Sequence, residues 1–173
     1  MYKILFQALI EGKAVTGQPA TNPDMLADTA KELAGRAKRR LGRSLAIREV
    51  DAGSCNGCEL EIHALNNPVY DVERFGLKFV ASPRHADVLL VTGPVTWNMK
   101  EALERTYNAV PAPKWVVAVG DCALNCGVFA ESMVCVGPVS AVIPVDIQIA
   151  GCPPPPIEIL RGLLTLVEAT NHG

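Results

Sequence analysis

An α/β fold built on a doubly wound parallel sheet is what the sequence predicts, and three observations predict it. From Ser44 onward, short β-rich runs alternate with segments of helical period, the pattern of successive βαβ units. Several of those runs are almost continuously apolar, as strands covered on both faces are. Four cysteines also fall just past predicted strand ends, along the edge where open parallel sheets collect their ligands.

Taken in order, strands are predicted at Ser44–Val50, Leu77–Val80, Val88–Thr92, Trp115–Val119 and Val145–Ile149. Helices are predicted at Gly57–Leu65, Asn98–Asn108 and Ile157–Ala169, the last following the proline run Pro153–Pro156. Right-handed crossovers then place helices on both faces of the sheet. At 173 residues the chain has room for one core, so we assign 44–173 to a single domain preceded by an extension, residues 1–43. Within that extension Leu26, Ala30, Leu33, Ala37 and Leu41 recur at helical spacing, with Asn22 or Asp24 as the cap. The stripe predicts an amphipathic helix packed on its own domain or on a neighbour. A second reading sets the basic residues at its C-terminal end, Arg36, Lys38, Arg39, Arg40 and Arg43, against anionic lipid headgroups.

Bulk properties remove several function classes. A formal charge of −2 supplies no overall field for nucleic acid, so no nucleic-acid partner is expected. No run reaches the roughly 20 apolar residues a membrane span requires. The longest candidate, Met133 to Val145, is broken by Gly137, Pro138 and Pro144. Attachment to a membrane is therefore expected through a partner or through the N-terminal segment. Six cysteines in a chain with a full apolar complement and no convincing export signal point away from a secreted disulfide framework. The expected compartment is cytoplasmic, where cysteine spacing signals metal or redox chemistry.

Cys55 and Cys58 follow the first predicted strand, Cys122 the fourth and Cys152 the fifth. Cys55-Asn56-Gly57-Cys58 is a Cys-x-x-Cys pair whose two intervening residues turn both thiolates toward one centre. Gly120-Asp121-Cys122 and Gly151-Cys152-Pro153 each set a glycine before the thiolate, permitting close backbone approach. Four thiolates complete the ligand set of one [4Fe–4S] cluster. Other chemistries share the motif. A zinc ribbon presents two paired knuckles, whereas Cys122 and Cys152 stand alone on separate loops. A thioredoxin-type dithiol employs only two of the four. Cys126 and Cys135 read as ordinary semi-buried thiols, with Cys126 close enough to Cys122 to stand as an alternative ligand.

A longer set of residues carries a family resemblance: Val50-Asp51-Ala52-Gly53-Ser54-Cys55-Asn56-Gly57-Cys58-Glu59-Leu60-Glu61, Asp71-Val72-Glu73-Arg74-Phe75-Gly76, Ser82-Pro83-Arg84-His85-Ala86-Asp87, Gly120-Asp121-Cys122-Ala123, and Pro144 through Pro154. In order and spacing these resemble the small subunits of membrane-bound, energy-converting (group 4) [NiFe]-hydrogenases, related to the 20-kDa iron–sulfur subunit of respiratory complex I. The resemblance spans about Ile47 to Val167. It implies a flavodoxin-like doubly wound fold and one [4Fe–4S] cluster held by Cys55, Cys58, Cys122 and Cys152 as its iron ligands. The complex I subunit carries adjacent cysteines at the first site, so the separated Cys55/Cys58 pair favours the hydrogenase branch. Cys126 stands where such relatives carry a small residue such as glycine.

The resemblance further implies an electron-relay subunit with no catalytic residue of its own. It implies three partners: a large subunit carrying the Ni–Fe centre, a ferredoxin-like iron–sulfur subunit and integral-membrane subunits. The expected location is the cytoplasmic face of the membrane, as a peripheral subunit. The alternative is a complex I-like subunit serving a quinone or other acceptor beside a large subunit without nickel. Glu59 and Glu61 are candidates for a proton path at the subunit interface, against the plainer reading of carboxylates at a helix start. Arg84 is a candidate for tuning the cluster or docking the large subunit, against an ordinary ion pair in a loop.

Overall fold

The computed structural model describes residues 23–169. In chain order they form α1 (Pro23–Leu41), β1 (Leu45–Asp51), α2 (Gly57–Ala64), β2 (Leu77–Phe79), β3 (Val88–Thr92) and β4 (Val95–Thr96). There follow α3 (Trp97–Ala109), β5 (Trp115–Val119), α4 (Asp121–Asn125), β6 (Cys135–Gly137), β7 (Ile147–Ile149) and α5 (Pro156–Ala169). Residues 1–22, with the run Ile4–Ile10 and the cap candidate Asn22, lie outside the described residues, as do the side chains of Leu26, Arg40 and Leu41.

Five strands make one wholly parallel sheet in the order β2-β1-β3-β5-β7, while β4 and β6 pair antiparallel beside it. Counted within the parallel sheet alone, the order is that of a flavodoxin-like doubly wound fold, whose direction of winding reverses between β1 and β3. The near-continuous apolar runs are explained by two cores. Val88, Leu90, Trp115 and Val117 face a core shared with Ala30, Leu33 and Ala37 of α1, Ile62 of α2 and Leu160 of α5. Leu89, Val91, Val116 and Ala118 face the opposite way, onto Leu103 of α3 and Ile143. A period of two along β3 and β5 thus sends alternate residues to opposite apolar layers.

Of the amphipathic stripe, Ala30, Leu33 and Ala37 pack in the domain's own core, and α1 lies against α5. Fully burying Leu33 stabilises the fold by about 1.5–3 kcal/mol. Among the described residues no helix is long and apolar enough to cross a membrane.

Two aspartates align the starts of the strands by the same device. The backbone N–H of Asp87 donates to Ala46 O at 2.8 Å, and its carboxylate accepts the Ala46 N–H at 2.9 Å. Asp146 repeats this with Val116, its N–H donating at 2.9 Å and its carboxylate accepting at 2.7 Å. Asp146 thereby replaces a ladder step with a side-chain bond, and β7 begins at Ile147 rather than at Val145 as the sequence predicts. The β4–β6 pair and α4 go unforeseen because two to five residues are too few to display a period.

Candidate functional site

Each cysteine loop is shaped by its own short-range bonds. Where β1 ends, one Asp51 carboxylate oxygen accepts the N–H groups of Gly53 and Ser54, both at 2.7 Å, and Ser54 Oγ accepts the Asn56 N–H at 3.1 Å. That turn delivers Cys55 to the surface and Cys58 into the first turn of α2. β5 runs through Gly120 into α4, whose second residue is Cys122. The loop after β7 carries Cys152, and it is tied to the β5 loop: Asp121 N–H donates to Gly151 O at 2.9 Å while the Asp121 carboxylate accepts the Gly151 N–H at 2.8 Å.

The loops converge on one patch at the carboxyl ends of the strands. Gly120 has φ +89°, and a Cβ there would lie 2.5 Å from Cys58 Sγ and 3.4 Å from Gly151 O, so only glycine fits. A Cβ on Gly57 would stand 3.5 Å from Cys55 Sγ and 3.9 Å from Pro153, bringing the Cys55 turn against the Cys152 loop. Electrostatics report the same grouping. The Cys58 thiol is pushed up to about 12 by burial, then by Glu59, and then by the Cys122, Cys55 and Cys152 thiols. The Cys122 thiol is also raised, first by burial and then by Cys152, while the Val128 N–H hydrogen-bonded to it pulls the other way. Cys58 begins a helix, where the dipole favours a thiolate, yet desolvation and its anionic neighbours outweigh that.

Cys126 is influenced by a different neighbour. Burial raises its thiol first, and the neighbour that acts on it is Cys135. Its backbone is left-handed, φ 68°, at the C-cap of α4, a conformation that glycine adopts without strain. That accounts physically for the small residue expected at this position.

What could the four thiols hold? Four crowded sulfurs, one of them kept protonated by burial, ionise together only around a shared cationic centre. Among the described residues no three His, Cys, Asp or Glu side chains gather tightly enough to hold a single ion. A cubane sets each cysteine sulfur on a different iron, so its ligands stand further apart than those of one zinc. Four thiols within electrostatic reach of one another from three loops fit a shared centre of that kind, as does the glycine cradle at Gly120.

The remaining candidates scatter. Glu59 begins α2 as expected but is buried, 7% exposed, and neither carboxylate oxygen has a hydrogen-bond partner; it is not a surface carboxylate. Glu61 is half-buried on the same helix. Arg84 is exposed in the 3-10 turn Pro83–His85 that feeds the start of β3, whereas all four cysteines follow strand ends, so it stands apart from the thiols. Trp115 is core and Trp97 is exposed. Sequence reasoning overlooks Asp51 and Asp121; an Asp two residues ahead of a glycine is the usual signature of the Asp51 turn, whereas Asp121 bonds Gly151 across two loops and carries no such local signal.

Comparison with known proteins converges on one family. The profile described as "NADH ubiquinone oxidoreductase, 20 Kd subunit" matches residues 55–166, a segment holding all four cysteines. The chain belongs to that family. This 20-kDa-family chain is 49% identical over 128 residues to the probable membrane-bound hydrogenase subunit mbhJ of Pyrococcus furiosus, covering 74% of this chain and 77% of that one. Against formate hydrogenlyase subunit 7 of Escherichia coli it is 42% identical over 78% of its own length, spanning 54% of the relative. One subunit of the NADH-quinone oxidoreductase of Heliobacterium modesticaldum is 44% identical, covering 63% of each chain. Among solved structures, a chain of the membrane-bound sulfane sulfur reductase, an archaeal respiratory membrane complex, superposes with a TM-score of 0.68 at 35% identity. That match covers 82% of this chain and 77% of the other. The 20-kDa-family chain is thus part of an oxidoreductase, as a subunit of a complex I-like assembly.

Proposed function

We propose that this chain is the electron-transfer small subunit of a membrane-associated [NiFe]-hydrogenase complex, relaying electrons through one [4Fe–4S] cluster held by Cys55, Cys58, Cys122 and Cys152. The observation that carries the reading is the mutual electrostatic reach of those four thiols from three separate loops. The cluster, once bound, supplies a one-electron carrier.

Everything else falls to the protein. Gly120 keeps the approach to Cys58 open, Asp121 holds the Cys122 and Cys152 loops in register, and the Val128 N–H stabilises negative charge on the Cys122 sulfur. Cys55 and Cys152 are exposed, which sets the outer face of the group where an adjacent subunit can sit within electron-transfer reach. The proposed partners are a Ni–Fe large subunit on that face, a ferredoxin-like subunit and integral-membrane subunits, with this chain peripheral on the cytoplasmic side. The separated Cys55/Cys58 pair and the likeness to hydrogenase subunits support this branch over a quinone-reducing one.

Anaerobic purification tests the proposal. The protein is expected to be brown, with a broad visible absorption and about four irons per chain. Colourless protein with equimolar zinc would sink it. In the co-purifying large subunit, a Cys-x-x-Cys pair near each end is expected; their absence transfers the chain to the quinone-type reading.

A further inference from the structure

Beside the cysteine patch, where β2 stops short of the end of β1, lies a pocket of about 440 Å³. Arg48, Glu49, Asp51, Asn56, Glu59 and His63 line it. Among the described residues every buried side-chain oxygen or nitrogen without a hydrogen-bond partner belongs to three of these residues: Arg48 Nε, Glu49 Oε1, and both Glu59 oxygens. Glu59 is 7% exposed. A buried carboxylate without a donor is costly, and proteins leave few such groups unless something outside the chain completes them.

The chemistry of the deficit identifies what is missing. Three carboxylates face one guanidinium, and three of the four orphaned atoms are carboxylate oxygens, which only accept. The missing group is a hydrogen-bond donor, and three carboxylates against one guanidinium favour one bearing positive charge. A bare metal ion does not answer, because no three acidic or thiol or imidazole groups here gather around one point. Asn56, inside the Cys55–Cys58 turn, is one of the residues lining the pocket, so the pocket and the cysteine patch share an edge. We propose that the pocket receives a cationic side chain, arginine or lysine, from the subunit that docks over the four cysteines, with Glu59 as its principal acceptor and Glu49 as the second. The inference rests on the reading that another subunit covers this face. It makes the Glu59 pocket a docking socket that locks that subunit in register with the thiols.

The test uses the complex isolated through a tag on this chain. A structure of that complex is expected to show a guanidinium or ammonium within hydrogen-bond distance of a Glu59 oxygen. A pocket that holds only water, receives a neutral or apolar side chain, or faces solvent overturns the proposal. In parallel, Glu59→Gln and Glu49→Gln are compared with wild type for iron per chain and for affinity toward the adjacent subunit. Affinity is expected to fall about tenfold or more in Glu59→Gln with iron unchanged, and unchanged affinity overturns the proposal. Should Glu59→Gln lose iron, Glu49→Gln and the complex structure decide. Wild-type chain without iron defeats the cluster reading alone, and the side chain seen at Glu59 in the complex structure still upholds or overturns the socket.

Discussion

Asp121 and Gly151 hold each other twice, N–H to carbonyl at 2.9 Å and N–H to carboxylate at 2.8 Å, across two loops that come from different strands. The two bonds join the segments bearing Cys122 and Cys152. Removing the carboxylate in Asp121→Ala leaves the Gly151 N–H without its partner and is expected to cost about 1–3 kcal/mol. Asp121→Asn keeps an oxygen acceptor and is expected to lose less. Urea unfolding measures the first quantity, and the rate at which the visible band bleaches in air measures its effect on the proposed cluster.

Serine at Cys55, Cys58, Cys122 or Cys152 is expected to lower iron content and visible absorbance, while Cys135→Ser leaves both intact. Cys126→Gly is the sharper variant. It relieves a left-handed residue and forfeits a small buried side chain, two effects of about 1 kcal/mol each and opposite sign. Iron per chain should equal wild type; its loss would promote Cys126 to ligand and displace Cys122.

Asp87 is 4% exposed and accepts three donors: Arg43 Nη1 at 2.9 Å, Arg43 Nη2 at 2.6 Å and the Ala46 N–H at 2.9 Å. Asp87→Ala strands the buried Ala46 N–H and is expected to destabilise by about 1–3 kcal/mol. Arg43→Ala should cost less, because the guanidinium is half exposed and the Ala46 bond survives. A double-mutant cycle in urea separates the ion pair from the strand contact.

Burial holds the Glu49 carboxyl above its ordinary value of 4.5. Glu59 and Asp51 reinforce this, while His63 and Arg48 oppose it. The folded state therefore binds more protons than the unfolded one, and Glu49 makes stability fall as pH rises from 4.5 through its folded value. Glu49→Gln removes that slope. In urea unfolding of the isolated chain the variant should gain on wild type as pH rises above 4.5. A gap that is constant with pH would show that burial of Glu49 is not the cause.

β3 and β5 are legible in the sequence to the residue because each is a five-residue apolar run bounded by turn-formers, and α3 and α5 lie within one residue of their predicted bounds. The four cysteines are legible as candidates for a similar reason: a parallel sheet sends its strand ends to one edge, so residues after strand ends must be neighbours. Glu59 is not legible in this way. A glutamate in the first turn of a helix is usually solvated, and nothing local distinguishes one that turns inward.

Local composition by itself determined the parallel α/β class, the strand runs and which cysteines lie past strand ends, since period and turn chemistry act over a few residues. Only the tertiary structure decided that Cys126 is buried within electrostatic reach of Cys135, that Arg84 stands apart from the thiols, and that Glu59 is buried unpaired beside Arg48 and Glu49. Those outcomes depend on where whole elements meet. They are set by packing between segments far apart in the chain, and no short window of sequence contains both partners.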